Sequence, residues 1–380
     1  MTDIVRVGVI GIGHMGTGHC QTILSGKVPG MKLTAVADIK QERRKWASEN
    51  LPADVQIFDS DRALIVSGTC DAVMVVVPHY FHPEISIRAM QQGLHVLCEK
   101  PAGVYTRQVK EMNEAAEKSD RVFAIMFNQR TNPAFIKMHD LVKSGELGTI
   151  KRVNWIITDW YRTQAYYDSG EWRATWDGEG GGVLLDQCPH QLDLLQWICG
   201  MPIRVSAHCH IGKWHHIEVE DDVTAYLEYE NGATGVFIAS TGDAPGTNRF
   251  EIDLSGGQLV YSENHLTCYK LQEDERQFMY TCKTGMEKPK GDYIPMEIDQ
   301  ENPEHAGVMR NFAGKILHNT PLTADGREGI NGLTLSNAMY LSAWTGHMVD
   351  IPFDEDLYLR ELNKRREKSL KKDHIQDTQF

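Results

Sequence analysis

The chain opens on a run in which apolar side chains take nearly every place, Val5-Arg6-Val7-Gly8-Val9-Ile10. Such a run predicts a strand buried on both faces of a sheet. A helix is predicted through about Ser25, then a strand Leu33-Thr34-Ala35-Val36-Ala37, a helix near 41–49 and a short strand near 55–58. Asp71-Ala72-Val73-Met74-Val75-Val76-Val77 is rich in β-branched residues and reads as another doubly buried strand. Residues 83–92 read as a helix, His95-Val96-Leu97-Cys98 as a strand, 106–118 as a helix and 122–127 as a strand. This alternation predicts an α/β domain over 1–125, built on a doubly wound parallel sheet.

The pattern then changes. Segments 150–160, 205–211, 219–229, 233–240, 250–254 and 258–261 alternate as strands, several joined by turns such as Glu230-Asn231-Gly232 and Ser255-Gly256-Gly257. One helix, 182–199, interrupts them, and 309–318 and 329–344 read as later helices. A strand-rich second domain is expected over 126–353. Residues 354–380 are charge-dense, with Lys364-Arg365-Arg366 and Lys371-Lys372, and are expected to form a solvated helix and a frayed end.

The first turn carries a motif. Gly11-Ile12-Gly13-His14-Met15-Gly16 follows the opening strand and leads into a helix, and Asp38 ends the next strand roughly 20 residues on. Strand, glycines, helix and acid in that order point to a dinucleotide, with NAD as the expected cofactor. Gly11 permits the turn, Gly13 lets backbone approach a pyrophosphate, and Gly16 lets helix and strand pack closely. The helix N-terminus then offers N–H donors and a positive dipole end. Asp38 is expected on the ribose hydroxyls. A glycine turn in a domain that binds nothing is the weaker reading.

Composition narrows the partners. A net charge of −13 argues against nucleic acid and anionic membranes. No apolar run nears the roughly 20 residues of a membrane span. Met1-Thr2-Asp3-Ile4 leads straight into a strand, so no signal peptide is expected. The eight cysteines form no CxxC pairs and are expected to be reduced. A cytoplasmic location fits these features.

Ligands of open α/β sheets bind beyond the carboxyl ends of the strands. Pro78, His79 and His82 leave one strand there, and Cys98-Glu99-Lys100-Pro101 leaves the next. Lys100 would stand at the mouth of the cofactor site, although a surface lysine in a turn reads equally well. For His82, which precedes Pro83, a helix-start role would suffice. Gln129 and Arg130, after the 122–127 strand, are weaker candidates for the same pocket. A third cluster is Gly180-Gly181-Gly182 followed by Asp186 and His190. Four residues apart on a helix, Asp186 and His190 would share a face. An imidazole beside a carboxylate can accept a proton near neutral pH. A helix cap with a buried histidine is the plain alternative. Two ligands are too few for zinc, so no metal is expected. Four of the eight tryptophans, Trp155, Trp160, Trp172 and Trp176, lie close in sequence among Tyr161, Tyr166, Tyr167, Arg162 and Arg173. Flat rings beside hydrogen-bonding groups suit sugars and cyclitols. Sheet packing is the plainer role for Trp155.

Together these residues make the chain from Val5 to about Pro352 resemble the glucose–fructose oxidoreductase/inositol dehydrogenase (Gfo/Idh/MocA) family. The resemblance rests on the glycine motif, Glu99-Lys100-Pro101, and the paired glycines before Asp186-x-x-x-His190. It also rests on Thr323-Ala324-Asp325-Gly326-Arg327-Glu328-Gly329 followed by Ala338-Met339-Tyr340-Leu341-Ser342-Ala343. It implies a Rossmann domain plus an α/β domain with an open, mostly antiparallel sheet, joined through that sheet as a homodimer or homotetramer. It implies Lys100, Asp186 and His190 as the catalytic group of an NAD-dependent enzyme oxidising a secondary hydroxyl of a sugar, glycoside or cyclitol. Gly11, Gly13, His14, Met15, Gly16, Asp38, Pro78, His79, His82, Glu99, Lys100 and Gln129 would line the cofactor. Lys100, Arg162, Tyr167, Trp172, Arg173, Trp176, Asp186 and His190 would line the substrate. Two departures stand out. His79 replaces a common asparagine, and 159–176 is longer and more aromatic than in simple members, which suits a substrate larger than a free monosaccharide. Two other functions stay open: transient oxidation by tightly held NAD during glycoside cleavage, and a non-catalytic NAD sensor.

Overall fold

The computed structural model describes residues 4–298 and 300–369. The chain divides into two compact units. One holds the described residues up to Thr131 together with Pro303–Leu333; the other holds Asn132–Asn302 and the residues from Thr334 on.

The first unit is built on β1 (Val5–Ile10), β2 (Met31–Ala37), β3 (Gln56–Phe58), β4 (Ala72–Val75), β5 (His95–Cys98) and β6 (Phe123–Ile125). All pair in parallel, in the order β3-β2-β1-β4-β5-β6. The connections are α1 (His14–Leu24), α2 (Gln41–Asn50), α3 (Asp61–Val66), α4 (His82–Gln91) and α5 (Thr106–Glu117). The expected doubly wound parallel sheet is present, and its order reverses between β1 and β4. That switch point is where such sheets bind ligands. Val7, Val9, Ala72, Met74 and Leu97 fill its core. The helix Glu304–His318 adds Val308, Met309 and Phe312 to that core, which is why this late segment belongs to the first unit. The short helix α3 was not expected from the pattern; Ser60 starts it by accepting the Ala63 N–H at 3.3 Å.

The second unit carries β7 (Ile150–Ile157), β8 (Arg204–Ile211), β9 (Glu220–Glu228), β10 (Thr234–Ser240), β11 (Asn248–Leu254), β12 (Gly257–Ser262), β13 (His265–Leu271), β14 (Gly291–Ile294) and β15 (Val349–Asp350). Their order is β14-β13-β12-β11-β7-β10-β9-β8-β15. β7 and β10 run parallel, and the other neighbours run antiparallel. The open, mostly antiparallel sheet is therefore borne out. Trp155 is core, as its plainer reading held: it stacks on Phe250 at 4.0 Å and is 1% exposed.

The helices of this unit include α6 (Pro133–Ser144), α7 (Gln164–Asp168) and α8 (Pro189–Cys199). The single helix expected over 182–199 is corrected. Val183–Gln187 forms a wide π-type turn, closed by the Cys188 N–H on the Val183 carbonyl at 2.8 Å, and α8 begins only at Pro189. Proline has no N–H and disfavours α geometry in the residue before it, so it fits the first position of a new helix. The C-terminal helix Glu355–Arg366 also differs from a solvated one. Tyr358 and Leu362, four apart on one face, are buried, and Tyr358 Oη accepts from Asn337 Nδ2 at 2.9 Å. Lys371 and Lys372 lie outside the described residues. Among the described residues, no helix is long and apolar enough to cross a membrane.

Candidate active site

The loop after β1 is shaped by what its glycines exclude. Gly11 has φ +88°, and a Cβ there would sit 2.1 Å from the Val76 carbonyl oxygen. A Cβ on Gly16 would sit 1.9 Å from the Gly11 carbonyl oxygen. Gly13 is different: a Cβ there meets no protein atom within 4 Å. Gly13 caps α1 without a side chain, no acid occupies the first turn, and Gly13, His14 and Met15 are exposed. An open helix N-terminus with uncapped N–H groups fits a pyrophosphate. Gly13→Val is expected to leave melting unchanged and to weaken NAD by about 100-fold or more, as two charge-assisted hydrogen bonds would suggest. Calorimetry on the folded variant checks this, and near-normal affinity would remove Gly13 from the site.

Asp38 follows β2 and is tied to the same loop. Its Oδ2 accepts from the Ile12 N–H at 2.9 Å and its Oδ1 from the Lys40 N–H at 2.9 Å. The nearby arginines are occupied. Arg43 donates to the Ile12 carbonyl and to Thr17 Oγ1, and Arg44 to the carbonyls of Asp38 and Ile39, both at 2.8 Å. A 2′-phosphate would meet the carboxylate with these cations engaged elsewhere. Like charges about 4 Å apart at a wet surface repel by about 1–4 kcal/mol. Wild-type kcat/KM is therefore expected to favour NAD over NADP by at least about tenfold, and a clear NADP preference would sink the Asp38 assignment.

Lys100 is half-buried in the turn that follows β5. Glu99 holds this turn from inside. Its Oε2 accepts the Lys100 N–H at 3.0 Å, and its Oε1 lies 2.6 Å from His19 Nε2 on α1. Burial opposes the Glu99 charge, but His19, Lys100 and His305 outweigh it and hold the carboxyl at about 2. His82 holds the turn from the other side. Its Nδ1 is 2.7 Å from the Pro101 carbonyl and its Nε2 is 2.7 Å from the Val77 carbonyl. Burial draws its pKa down, against those carbonyls and the Glu99 charge. The polar atoms of His82 and Glu99, both expected on the cofactor, brace the Lys100 turn. Pro78 and Gln129 are half-buried, and His79 is buried. Arg130 is 1% exposed and pairs with Glu328, a framework contact.

In the second unit, Asp186 lies in the π-type turn and His190 in the first turn of α8, so they do not share one helix. Both are buried. Asp186 Oδ2 accepts from Tyr166 Oη at 2.7 Å, Gln187 Nε2 at 2.6 Å and Arg173 Nη1 at 3.2 Å. Arg173 lies over the rings of Tyr166 (4.5 Å) and Trp172 (4.9 Å), and its Nη1 is 3.7 Å from Glu179. Burial works against the Arg173 charge, yet Asp186 and its neighbours raise its pKa overall. Burial and the Asp186 charge push the Glu179 carboxyl well up. Burial and Asp186 likewise raise the Tyr166 phenol, which keeps it a donor.

Two residues expected on the substrate are buried among neighbouring side chains. Tyr167 is 1% exposed with its hydroxyl on Thr241 Oγ1 at 2.7 Å, and Trp176 meets Tyr340 and Trp344 edge-on at 5.7 and 5.6 Å. Conversely, Glu179, Gln187, Glu220 and Tyr340 went unassigned in the pattern. The run Glu220-Asp221-Asp222 on a strand was the available signal, because alternation must point an acid inward.

Comparison with known proteins places these features. Residues 5–127 match the model described as an oxidoreductase family with an NAD-binding Rossmann fold, and 135–260 match the GFO/IDH/MocA C-terminal domain. Together the two cover well over half of the chain. An inositol 2-dehydrogenase of Corynebacterium glutamicum (strain R) is 27% identical over 61% of this chain and 66% of its own length, just short of two thirds. A D-glucoside 3-dehydrogenase of Escherichia coli (strain K12) is 25% identical over 91% of this chain and 97% of its own. The WlbA dehydrogenase from Chromobacterium violaceum, solved in complex with NADH and UDP-GlcNAcA, has a TM-score of 0.78 at 25% identity, covering 93% of this chain and 97% of that one. The first unit is an NAD-binding Rossmann domain, and the chain belongs to the Gfo/Idh/MocA family of oxidoreductases.

Proposed function

We propose that this protein is an NAD-dependent dehydrogenase that oxidises a secondary hydroxyl of a sugar, glycoside or cyclitol to a ketone, or runs the reverse. The observation that carries the reading is the Asp186 carboxylate, pinned by Tyr166, Gln187 and Arg173 just ahead of His190. A carboxylate held by three donors, with aromatic faces beside it, suits a ligand rich in hydroxyls. The inositol and glucoside dehydrogenases among its relatives support the same substrate class.

Gly11–Gly16 and Asp38 would hold the dinucleotide, and when bound it supplies the hydride acceptor. The chain's own residues handle the proton. His190 accepts the hydroxyl proton, and Lys100 donates a hydrogen bond to the same oxygen as charge develops on it. Asp186, with Tyr166 and Arg173 behind it, orients the hydroxyl-bearing carbon and its neighbours. A panel of sugars, glycosides and inositols assayed with NAD tests the reading. Stoichiometric NADH with at least one member is expected. Turnover without NADH release would favour transient oxidation, and neither turnover nor binding across the panel would overturn the reading.

A further inference from the structure

The second unit places two arginines on the Tyr166 ring, and they are not equivalent. Arg173 is neutralised by Asp186 at 3.2 Å and faces Glu179 at 3.7 Å. Arg162 has no carboxylate within ion-pair distance among the described residues. Its guanidinium lies over Tyr166 (4.9 Å) and Trp160 (5.8 Å). Its Nη1 donates to the Tyr161 carbonyl at 3.1 Å, while its Nε is enclosed and has no hydrogen-bond partner.

The backbone beneath this side chain is fixed. The Arg162 N–H donates to the Thr241 carbonyl at 2.9 Å, and its own carbonyl faces His215 Nε2 at 2.9 Å. His215 Nδ1 is held in turn by Asp221 at 2.9 Å. A held guanidinium with an enclosed, unused donor calls for an explanation. Arginine's planar fork matches carboxylate and phosphate, and stacking on rings leaves that fork free to bind in the plane.

Tyr166 joins the two groups. Its ring lies beneath Arg162 and its hydroxyl bonds Asp186 at 2.7 Å. The cation and the carboxylate thus meet the same residue, one over its ring face and the other at its hydroxyl. On the dehydrogenase reading above, we propose that the substrate is an acidic sugar, whose carboxylate or phosphate is taken by Arg162 while the hydroxyl to be oxidised faces Asp186 and His190. The long aromatic segment 159–176 is then a specificity element for charge.

The test uses the full chain with NAD and matched sugars: glucose, galactose and mannose against their uronic acids and their 6-phosphates. At least one acidic member is expected to exceed its neutral counterpart in kcat/KM by about 10- to 100-fold, the worth of one charge-assisted pair. In Arg162→Ala that ratio falls to near one, mainly through KM, and Arg162→Lys keeps part of it. Preference for uronates or for phosphates names the group. Acidic sugars turned over no better than neutral ones, or an unchanged ratio in Arg162→Ala and Arg162→Lys, would overturn the proposal. If no sugar gives NADH, calorimetry on the NAD-loaded protein decides. Uronate or phosphate binding that weakens tenfold or more in the variants upholds the Arg162 site and places the fault in the dehydrogenase reading. Absence of such binding overturns the Arg162 site.

Discussion

Replacing His190 with alanine is expected to lower kcat by about 10²–10⁴-fold, the usual worth of a positioned base, with NAD still bound. Lys100→Met should cost about as much, because on the proposed chemistry it removes the charge that meets the developing oxyanion but keeps the aliphatic stem. Neither change touches what holds its backbone. The Lys100 turn stays braced by Glu99 on its N–H and by His82 at the Pro101 carbonyl. Helix α8 still starts at Pro189. The double variant should lose far less than the product of the two single losses, since the proposed chemistry has both groups act on one oxygen. Turnover is measured beside an NAD titration and a melting curve. Wild-type turnover in either variant would break the proposed chemistry at its centre. Loss of activity only through loss of folding would return Asp186 and His190 to a structural role.

The first unit was legible because its signals are local. Strands such as Ala72–Val75 are apolar on both faces, and Gly11 and Gly16 answer steric demands a few residues away. The helix Pro133–Ser144 went unread although Asn132, Pro133 and Gly145 mark its two ends; Asn132 Oδ1 accepts the Ala134 N–H at 3.0 Å. The strand His265–Leu271 alternates weakly and its partner β14 is mostly exposed, so neither stood out. The surroundings of Asp186 were illegible for a different reason. Tyr166 reaches it from the short helix α7 and Arg173 from the loop that follows, and no periodicity records a tertiary approach of that kind. The charge-dense tail misled in the opposite direction, because Tyr358 and Leu362 bury one face of an otherwise polar helix.

Glu220→Ala is expected to be among the most destabilising single changes in the second unit. Glu220 is fully enclosed on β9 and stitches the glycine segment in place. Its carboxylate accepts the Gly182 N–H at 3.0 Å, the Leu184 N–H at 2.9 Å and the Tyr340 hydroxyl at 2.7 Å. Gly182 has no room for a side chain, since a Cβ would lie 2.0 Å from the Glu220 carbonyl oxygen. Alanine would strand these donors in a dry site, at about 1–3 kcal/mol each and less than additively. A total near 3–5 kcal/mol lowers Tm by roughly 6–20 °C for a unit of this size. The pH dependence gives a second, sharper readout. Burial pushes the Glu220 carboxyl up to about 7 from an ordinary 4.5, against the Tyr340 hydroxyl and the Leu184 and Gly182 N–H groups, which pull it down. A raised folded-state pKa gives stability that is whole below about 4.5 and is lost as pH rises through about 7. Glu220→Gln cannot ionise, so the wild type's advantage over it should shrink between pH 5 and pH 8. Melting curves of both proteins across that range decide the matter, and an advantage that grows with pH would show that the ionised carboxylate is the stable form in the folded chain.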